Sequence, residues 1–434
     1  MNARIKEQIE QINSGIVPEG YQKTAFGIFP CDWETNKTLG DLGQFSKGKG
    51  IPGNKLTSEG VPCVGYGDIY MKYNYHFENA QSFVDEQTAA ESQKIGKGTL
   101  LFTATGETAE EIGKCVCYNG EKDIYAGGDI ITFVPYVLNS LFIAYQQYQS
   151  YAIRQKASFG QGHSVVHIQK DRLEKLHIAF PKSTQEQARI AEILMQWDKA
   201  IELQGKLGEA YQKLKKYCLN KMFPKKGSNV PEIRFPGFTA PWEQCKFAEV
   251  YSFASEGGTP DTNTAAYYRN GTIPFVRIED TENKYIDSVK TFVTEEGLKH
   301  SSAWLIPSGS VIFTNGATVG NVAINRIPVA TKQGILGIIP NKTVMAEYLY
   351  YLLSSGFFQR EVRNRQATGT FATIILKNLN EINVFVPDKA EQQKISGYLS
   401  SIDNLITLHQ KKREKLVAQR KILQQYLLTG IVRV

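Results

Sequence analysis

A stretch of about 40 residues occurs twice in this 434-residue chain, and this duplication constrains the fold more than any other feature. Identical residues recur at a constant offset of 205 positions, as from Glu186 to Glu391. The first copies are Glu186, Gln187, Ile190, Leu194, Asp198, Ile201, Leu203, Lys206, Glu209 and Lys216, and the second are Glu391, Gln392, Ile395, Leu399, Asp403, Ile406, Leu408, Lys411, Glu414 and Lys421. A chain built this way has to accommodate two like segments in equivalent surroundings.

The spacing within each copy predicts a long helix. Apolar residues recur three and four positions apart, at Leu194, Trp197, Ile201, Tyr211, Leu214, Cys218 and Met222. Ser183 followed by Glu186 has the form of a capping box, and Pro224 ends the segment. We predict that the helices pack through Leu194, Trp197, Ile201, Leu214, Cys218, Leu399, Ile402, Ile406, Leu416 and Leu423.

The composition is that of a globular protein with several domains. The length exceeds what one core usually supports, and 42% of the residues are apolar. The first residues do not resemble a signal peptide and no apolar run is long enough to span a bilayer, so we expect a protein without a membrane role. Six cysteines without CxxC spacing indicate reduced thiols in a cytoplasm. The net charge of +7 is a modest hint of an anionic partner.

The globular segments before the two helices also echo each other. GVPCVGYGD is matched by TIPFVRIED, and IGKGTLLFT by IPSGSVIFT, at nearly the same period. The predicted domains are an N-terminal helix and linker (1–25), a first globule (26–182), a helix (183–224), a linker (225–240), a second globule (241–387) and a second helix (388–434). Two copies of one globule-plus-helix unit explain this order.

We predict an α+β chain in which two similar β-rich globules are separated by two long helices. Each helix extends over roughly 60 Å at 1.5 Å per residue. Packing the two apolar stripes together as an antiparallel coiled coil buries both and produces a pseudo-twofold arrangement. The alternative is that each helix lies along its own globule.

Motifs for catalysis are not convincing in this sequence. The glycine-rich run beginning at Gly43 has Gly50 where a phosphate loop needs Ser or Thr. His163 and His167 are four apart but lack the glutamate of a zinc protease. Asp261 followed at a distance by Lys284 imitates a metal nuclease only loosely. We therefore predict no catalytic, cofactor-binding or metal-binding residue in this chain.

Polar and aromatic residues cluster on loops in both globules, which favours contacts with nucleic acid. Lys and Arg neutralise phosphates, while Arg, Asn, Gln and Thr read base edges. The candidate DNA-binding residues are Lys47, Lys49, Tyr66, Asp68, Tyr70, Lys72, Thr103, Thr105, Lys156, Gln161, His163 and Ser164 in the first globule, and Arg277, Glu279, Asp280, Lys284, Thr314, Asn315, Thr318, Lys332, Gln333, Arg363, Arg365, Thr368 and Thr370 in the second.

The complete pattern resembles the specificity subunit of a type I restriction–modification enzyme. The resemblance covers nearly the whole chain and rests on four phrases: GYQKTAFGIFPCDWE, VPEIRFPGFTAPWEQ, LEKLHIAFPKSTQEQARIAEIL and LNEINVFVPDKAEQQKISGYL. The last two each lead into a long helix. In the first copy GQGHSVVHI departs from the Gly/Thr loop usual at that point, so residue roles there stay open.

This resemblance implies two target-recognition domains, each reading one half of a split site in double-stranded DNA. It further implies that the helices set the spacing and dock two methyltransferase subunits, and that restriction and motor subunits join for cleavage. S-adenosylmethionine, ATP and Mg²⁺ would then belong to partner subunits. The alternatives are a standalone methyltransferase or nuclease with duplicated recognition domains, and a coiled-coil scaffold without a DNA role.

Overall fold

The structure is a computed structural model that describes residues 3–162, 165–367 and 372–434. The chain forms two compact units. Unit 1 comprises Met1–Leu203 and Arg413–Val434, and unit 2 comprises Gln204–Lys412. Each unit contains one globule together with a segment of both long helices.

Unit 1 is built from short strands and helices that precede the first long helix. The helices are α1 (Ala3–Asn13), α2 (Leu39–Leu42), α3 (Tyr66–Met71), α4 (Glu86–Ala90), α5 (Ser140–Gln146), α6 (Ser150–Phe159), α7 (Lys170–Leu173) and the start of α8 (Thr184–Lys221). The strands are β1 (Tyr21–Lys23), β2 (Ile28–Pro30), β3 (Trp33–Glu34), β4 (Gly43–Lys47), β5 (Val61–Val64), β6 (His76–Phe77), β7 (Ser82–Val84), β8 (Gln93–Ile95), β9 (Leu100–Thr103), β10 (Thr105–Gly106), β11 (Cys115–Tyr118), β12 (Ile124–Ala126), β13 (Ile130–Pro135), β14 (Val166–His167) and β15 (Phe180–Pro181).

Two sheets form the centre of this globule. The larger has the order β4-β13-β9-β11-β6 and the smaller the order β7-β5-β12-β8. The strands β9 and β11 are buried on both faces, because helix α5 covers one face of the larger sheet and the smaller sheet's core lies on the other. The core also includes Ile190 and Leu194 of α8 and Leu427 and Leu428 from the end of the chain.

Unit 2 repeats this construction. The strands are β16 (Glu243–Lys246), β17 (Tyr251–Glu256), β18 (Ile273–Val276), β19 (Tyr285–Ile286), β20 (Phe292–Val293), β21 (Val311–Thr314), β22 (Val322–Asn325), β23 (Ala330–Thr331), β24 (Ile335–Pro340) and β25 (Asn383–Val386). The helices are α9 (Glu295–Lys299), α10 (Ala346–Ser354), α11 (Gly356–Arg365), α12 (Leu376–Asn380) and α13 (Lys389–Leu428). Its larger sheet has the order β17-β24-β21-β22-β19, and its smaller sheet the order β20-β18-β23. These orders match those of unit 1 strand for strand, with β8 as an addition in unit 1.

The two long helices, α8 with 38 residues and α13 with 40, each contribute to both units. Within unit 1, Asp198 of α8 pairs with Arg420 of α13. Within unit 2, Lys215 of α8 pairs with Asp403 of α13. Because an early residue of one helix meets a late residue of the other in both units, the helices run antiparallel. The predicted α+β class, the duplicated globule and the antiparallel long helices are confirmed.

The predicted capping box of α8 is only half present. Ser183 Oγ accepts a hydrogen bond from the Glu186 amide at 3.3 Å. The Glu186 carboxylate does not turn back to the cap, because Arg433 occupies both of its oxygens. In unit 2, Glu391 of α13 is likewise held by Arg234, at 2.7 and 2.8 Å. An arginine thus holds the glutamate of the first turn in both long helices.

Predicted packing residues of the helices fall into three groups. Leu194, Cys218, Leu399 and Ile402 are buried, Ile406 and Leu423 lie partly buried against the cores, and Trp197, Ile201 and Leu416 are half-buried. Leu214 was wrongly included, since 37% of it is exposed. The face that packs in unit 2 carries Tyr211, Lys215, Cys218 and Met222, and Leu214 lies one residue, about 100°, away from it.

Candidate nucleic-acid interface

Loops that follow several strands of unit 1 meet in one place, which we call loop cluster 1 (residues 48–52, 65–70, 104–108, 127–129, 161–162 and 165–168). The Gly127 amide donates to Val64 O at 3.0 Å, and the Gly128 amide to Gly50 O at 2.9 Å. The Ala104 amide donates to Asp129 O at 2.9 Å. Backbone hydrogen bonds therefore connect loops that are far apart in sequence.

Close backbone approach explains the glycines of this cluster. A Cβ on Gly48 would lie 1.9 Å from the carbonyl oxygen of Gly127, so no larger residue fits. Ile51 adopts a φ of 56°, a conformation that costs a β-branched residue energy. The loop that carries Lys49 is consequently held in one defined shape.

Several predicted DNA-binding residues of unit 1 do lie on loop cluster 1 or at its edge. Lys47, Lys49 and Gln161 are exposed, and Tyr66 and Thr105 are half-buried. Tyr70 is also half-buried, but its hydroxyl lies 2.9 Å from Thr103 Oγ1 and 3.0 Å from Thr105 O. The Tyr70 hydroxyl therefore stabilises the loop after β9.

Three predicted residues of unit 1 are buried and hold the fold together. Asp68 accepts from the Gly65 amide at 2.8 Å and from Ser82 Oγ at 2.9 Å, and it pairs with the exposed Lys72 at 2.7 Å. Thr103 is fully buried at the end of β9. The sequence could not predict the burial of Asp68 and Thr103. A polar residue in a loop-like segment has the same local sequence pattern whether it caps a helix or faces solvent.

Lys156 is the third buried candidate, and its burial is unusual for a lysine. Its Nζ donates to the carbonyl oxygens of Gly113 at 2.9 Å and Gln147 at 3.1 Å. Desolvation lowers the pKa of this ammonium to about 8. The bond to Gln147 O lies at the break between α5 and α6. Lys156 is therefore a structural residue.

Unit 2 forms loop cluster 2 from equivalent loops (residues 257–260, 277–281, 315–320, 332–334, 366–367 and 372–375). The Lys332 amide donates to Val276 O at 3.3 Å, next to Arg277. The Gly316 amide donates to Gly334 O at 3.1 Å, and the Ile374 amide to Asn315 O at 2.9 Å. As in unit 1, backbone contacts bring four or more loops onto one surface.

The exposed predicted residues of unit 2 are Arg277, Glu279, Thr318, Gln333 and Arg363, while Asp280, Lys332 and Arg365 are half-buried. Asp280 accepts from the Arg277 amide at 2.8 Å and so caps a short turn, as Asp68 does in unit 1. Arg365 pairs with Glu361 on its own helix. The exposed side chains that remain are those of Arg, Glu, Thr and Gln.

Three further predictions for unit 2 are corrected by the structure. Thr314 and Asn315 are buried, and the Asn315 side chain donates to Ile374 O at 3.2 Å. Lys284 points to helix α13, where its Nζ lies 2.5 Å from Ser400 Oγ.

Four predicted DNA-binding residues lie outside the described residues: His163, Ser164, Thr368 and Thr370.

The two clusters differ in which loop carries the positive side chains. Strand pairing makes Gly127 the counterpart of Lys332, because Ala126 pairs with Val64 at the end of β5 as Thr331 pairs with Val276 at the end of β18. In unit 1 the lysine is Lys49, on the loop after β4, and the neighbouring loop is Gly127-Gly128-Asp129. In unit 2 the loop after β17 holds glycines and the neighbour supplies Lys332 and Gln333. The loop at 127–129 was missed, although aligning the repeats would have indicated it.

The described residues contain neither a group of side chains placed to hold a metal ion nor a helix that could span a membrane. Residues 3–162, 165–367 and 372–434 contain no group of three or more His, Cys, Asp or Glu side chains placed to hold a metal ion. Among those same residues, none of the helices combines the length and the hydropathy needed to cross a membrane.

Comparison with known proteins gives the class to which this duplicated fold belongs. The family described as "Type I restriction modification DNA specificity domain" matches residues 30–210 and again residues 240–418. These matches cover more than four fifths of the chain. The chain therefore belongs to this family and carries its DNA specificity domain twice.

Particular relatives agree with this assignment. The type I restriction enzyme MjaIX specificity subunit of Methanocaldococcus jannaschii is 33% identical over 178 residues, which is 40% of this chain and 41% of the relative. The putative MjaX specificity subunit of the same organism is 26% identical over 96% of this chain and 97% of its own length.

The fold is also that of a solved structure. The S subunit of a type I restriction–modification system from M. genitalium has a TM-score of 0.57 at 17% identity, covering 95% of this chain and 99% of that one. A second structure, from a study of complex assembly and conformational transition of the type I R-M system, has a TM-score of 0.56 at 15% identity over 93% of this chain and 99% of that one.

Proposed function

We propose that this chain is the sequence-specificity subunit of a type I restriction–modification complex, in which each loop cluster reads one half of a bipartite site in double-stranded DNA. The observation that carries the proposal is the contrast between the two clusters. Equivalent strands position both, yet the exposed side chains differ, with Lys49 and Gln161 in one and Arg277 and Gln333 in the other. Two globules with the same backbone scaffold but different exposed side chains are suited to read two half-sites of different sequence.

The chemistry of the exposed side chains is that of DNA readers. Lys49, Arg277 and Arg363 can neutralise backbone phosphates, which supplies affinity without sequence preference. Gln161, Gln333 and Thr318 can hydrogen-bond to base edges in the major groove. An acidic residue such as Glu279 accepts from cytosine and repels a wrong base, so it adds selectivity.

The remaining parts of the complex follow from this role. The long helices set the spacing of the two clusters and dock two methyltransferase subunits, and restriction subunits join for cleavage. Methyl transfer and cleavage, with S-adenosylmethionine, ATP and Mg²⁺, take place in those partners, and this chain is not catalytic. The complex acts in the cytoplasm. The family description and the subunit names of the relatives support the role of a specificity subunit in such a complex.

The test is sequencing of methylated sites in cells that express the chain with methyltransferase subunits. Exchanging residues 26–180 for those of a relative should change one half of the methylated motif and leave the other half intact. Simultaneous change of both halves would contradict the division of labour. In a matched assay, the purified chain alone should transfer no methyl group, and transfer by the isolated chain would favour a standalone methyltransferase.

A further inference from the structure

Each globule contacts an ion pair of the same design that joins the two long helices. In unit 1, Arg420 Nε donates to Asp198 Oδ1 at 2.8 Å. In unit 2, Lys215 Nζ lies 2.6 Å from Asp403 Oδ1. Asp403 is the counterpart of Asp198 at the 205-residue offset, and Arg420 is the counterpart of Lys215. The two helices therefore exchange roles between the units.

A tyrosine from each globule completes the carboxylate's environment. Tyr145 donates to Asp198 Oδ2 at 2.7 Å, and its counterpart Tyr351 donates to Asp403 Oδ2 at 2.6 Å. Burial and the adjacent carboxylate raise the pKa of both phenols, so both remain protonated donors. We call these arrangements seat 1 (Asp198, Arg420, Tyr145, Tyr75) and seat 2 (Asp403, Lys215, Tyr351, Lys284).

One globule residue differs in charge between the seats. Tyr75 and Lys284 are equivalent, because Tyr75 O accepts from the Cys117 amide at 2.9 Å and Lys284 O accepts from the Ile324 amide at 2.8 Å, at the same point of the two sheets. The Tyr75 ring lies 3.9 Å from the Arg420 guanidinium, which also donates to the Tyr75 hydroxyl at 2.9 Å. In seat 1 the helix supplies the cation and the globule the aromatic ring.

Seat 2 keeps a cation from the helix, Lys215, and the globule adds a second cation, Lys284. Lys284 Nζ donates to Tyr351 Oη at 2.8 Å and to Ser400 Oγ at 2.5 Å. The residue of helix α8 that corresponds to Ser400 at the 205-residue offset is Met195, which has no hydroxyl group. The globule's ammonium thus meets a polar helix residue in seat 2, whereas an apolar residue stands at that position in seat 1.

We propose that these differences determine which globule can occupy which seat, so that the two recognition domains are not interchangeable in position. A globule that brings Lys284 to seat 1 would place a second cation beside Arg420, which is only 5% exposed, whereas Lys215 in seat 2 is 23% exposed. The ammonium would also meet Met195 in place of the Ser400 hydroxyl. A globule that brings Tyr75 to seat 2 would leave Ser400 without its ammonium partner. This selection depends on packing within the chain and not on DNA.

The first experiment converts seat 1 into seat 2 in the full-length chain and measures thermal unfolding. Tyr75→Lys should lower the melting temperature by about 5 °C or more. Adding Met195→Ser and Arg420→Lys should recover at least half of that loss, although the two helix substitutions alone should be destabilising. Tyr75→Phe is the control that keeps the ring and should cost less. Purely additive effects in the triple variant would overturn the proposal.

The second experiment tests the globules themselves. Residues 241–387 replace residues 26–182, so that the second globule occupies both positions, with or without Lys284→Tyr in the copy placed in seat 1. The chain with Lys284→Tyr should have a higher melting temperature than the chain without it, or should be the only one of the two that yields soluble protein. Equal or better behaviour of the Lys version would refute the proposal. Because neither experiment involves DNA or partner subunits, their outcome is separate from that of the proposed function.

Discussion

Gln204 Oε1 and His409 Nδ1 lie 2.7 Å apart, and the two residues are each other's counterparts in the repeat. The His409 ring also stacks on Tyr211, with 5.4 Å between ring centroids. In an antiparallel pair of like helices, a residue meets its own counterpart only at the centre of the pair. This contact therefore fixes the register of α8 against α13.

That register determines how the spacing of the DNA half-sites can be altered. Four residues inserted after Gly205 and four after the equivalent Gln410 add about 6 Å and slightly more than one turn to both helices. The pairs of Asp198 with Arg420 and of Lys215 with Asp403 are preserved, so the methylated motif should keep its half-sites and gain one or two unread base pairs, which stack about 3.4 Å apart.

The control is the same insertion in α8 alone, which shifts one helix against the other and should lower stability. Three residues in each helix should also be tolerated less well, because they turn the packing face by about 60°. Methylated-site sequencing gives the result. An unchanged gap in the doubly extended chain would show that the helices do not set the spacing.

A chain of residues 1–224 should form a twofold dimer. It lacks residues 413–428, which in unit 1 cover Ile190 and Leu194, but residues 208–223 of a second copy are their counterparts. Lys215 would then pair with Asp198 of that copy in place of Arg420. Light scattering at micromolar concentration should give twice the chain mass, and a soluble monomer would contradict this.

The ion pair of unit 1 should matter more for stability than an exposed pair. Arg420→Ala removes the only cation paired with Asp198 in unit 1 among the described residues and the donor to the Tyr75 hydroxyl, leaving Tyr145 as the donor to the carboxylate, so we expect a loss of about 3 kcal/mol. Lys94→Ala removes a solvent-exposed pair with Asp123 and should change stability little. Chemical denaturation of both variants provides the comparison, and equal effects would show that the buried network is not stabilising.

Lys156 should make stability depend on pH. Its pKa is about 8 in the fold and 10.5 ordinarily, so between these values the unfolded chain binds more protons. Stability contributed by this site is lowest below pH 8 and rises by about 3 kcal/mol toward pH 10.5. Lys156→Met should abolish that rise. Urea unfolding of both proteins at pH 7 and pH 9.5 measures it, and parallel pH profiles would contradict the assignment.

Exposed and buried lysines should differ in their effect on DNA affinity. If Lys49 contacts a phosphate as proposed, Lys49→Ala should reduce the magnitude of the slope of log K against log salt by about 0.9. Lys156→Met is the matched control and should leave the slope unchanged, because its ammonium is buried. Binding of duplex DNA at several salt concentrations distinguishes the two, and equal slopes in wild type and Lys49→Ala would remove Lys49 from the interface.

The sequence was informative where periodicity and repetition carried the signal. The long helices and the duplicated globules follow from residue spacing, because burial on one face requires a periodic pattern. The prediction that Leu214 packs between the helices was wrong because the packing face shifts along α8. The prediction that Lys156, Lys284 and Asn315 face DNA was wrong because the partners that hold these polar residues are distant in sequence. The pairs of Asp198 with Arg420 and Lys215 with Asp403 could have been found, since both charges recur at the 205-residue offset.

The division of the chain into units also sets the order in which it can fold during synthesis. Unit 2 is continuous, from Gln204 to Lys412, whereas unit 1 needs Arg413–Val434. Leu427 and Leu428 are translated more than 200 residues after Leu194, which they help to bury. At about 5–20 residues per second, the globule made first waits roughly 12–47 s for the last helical segment that it needs. The second globule is therefore finished first, and a nascent chain exposes the stripe of Ile190 and Leu194 to chaperones until residues 413–434 have been translated.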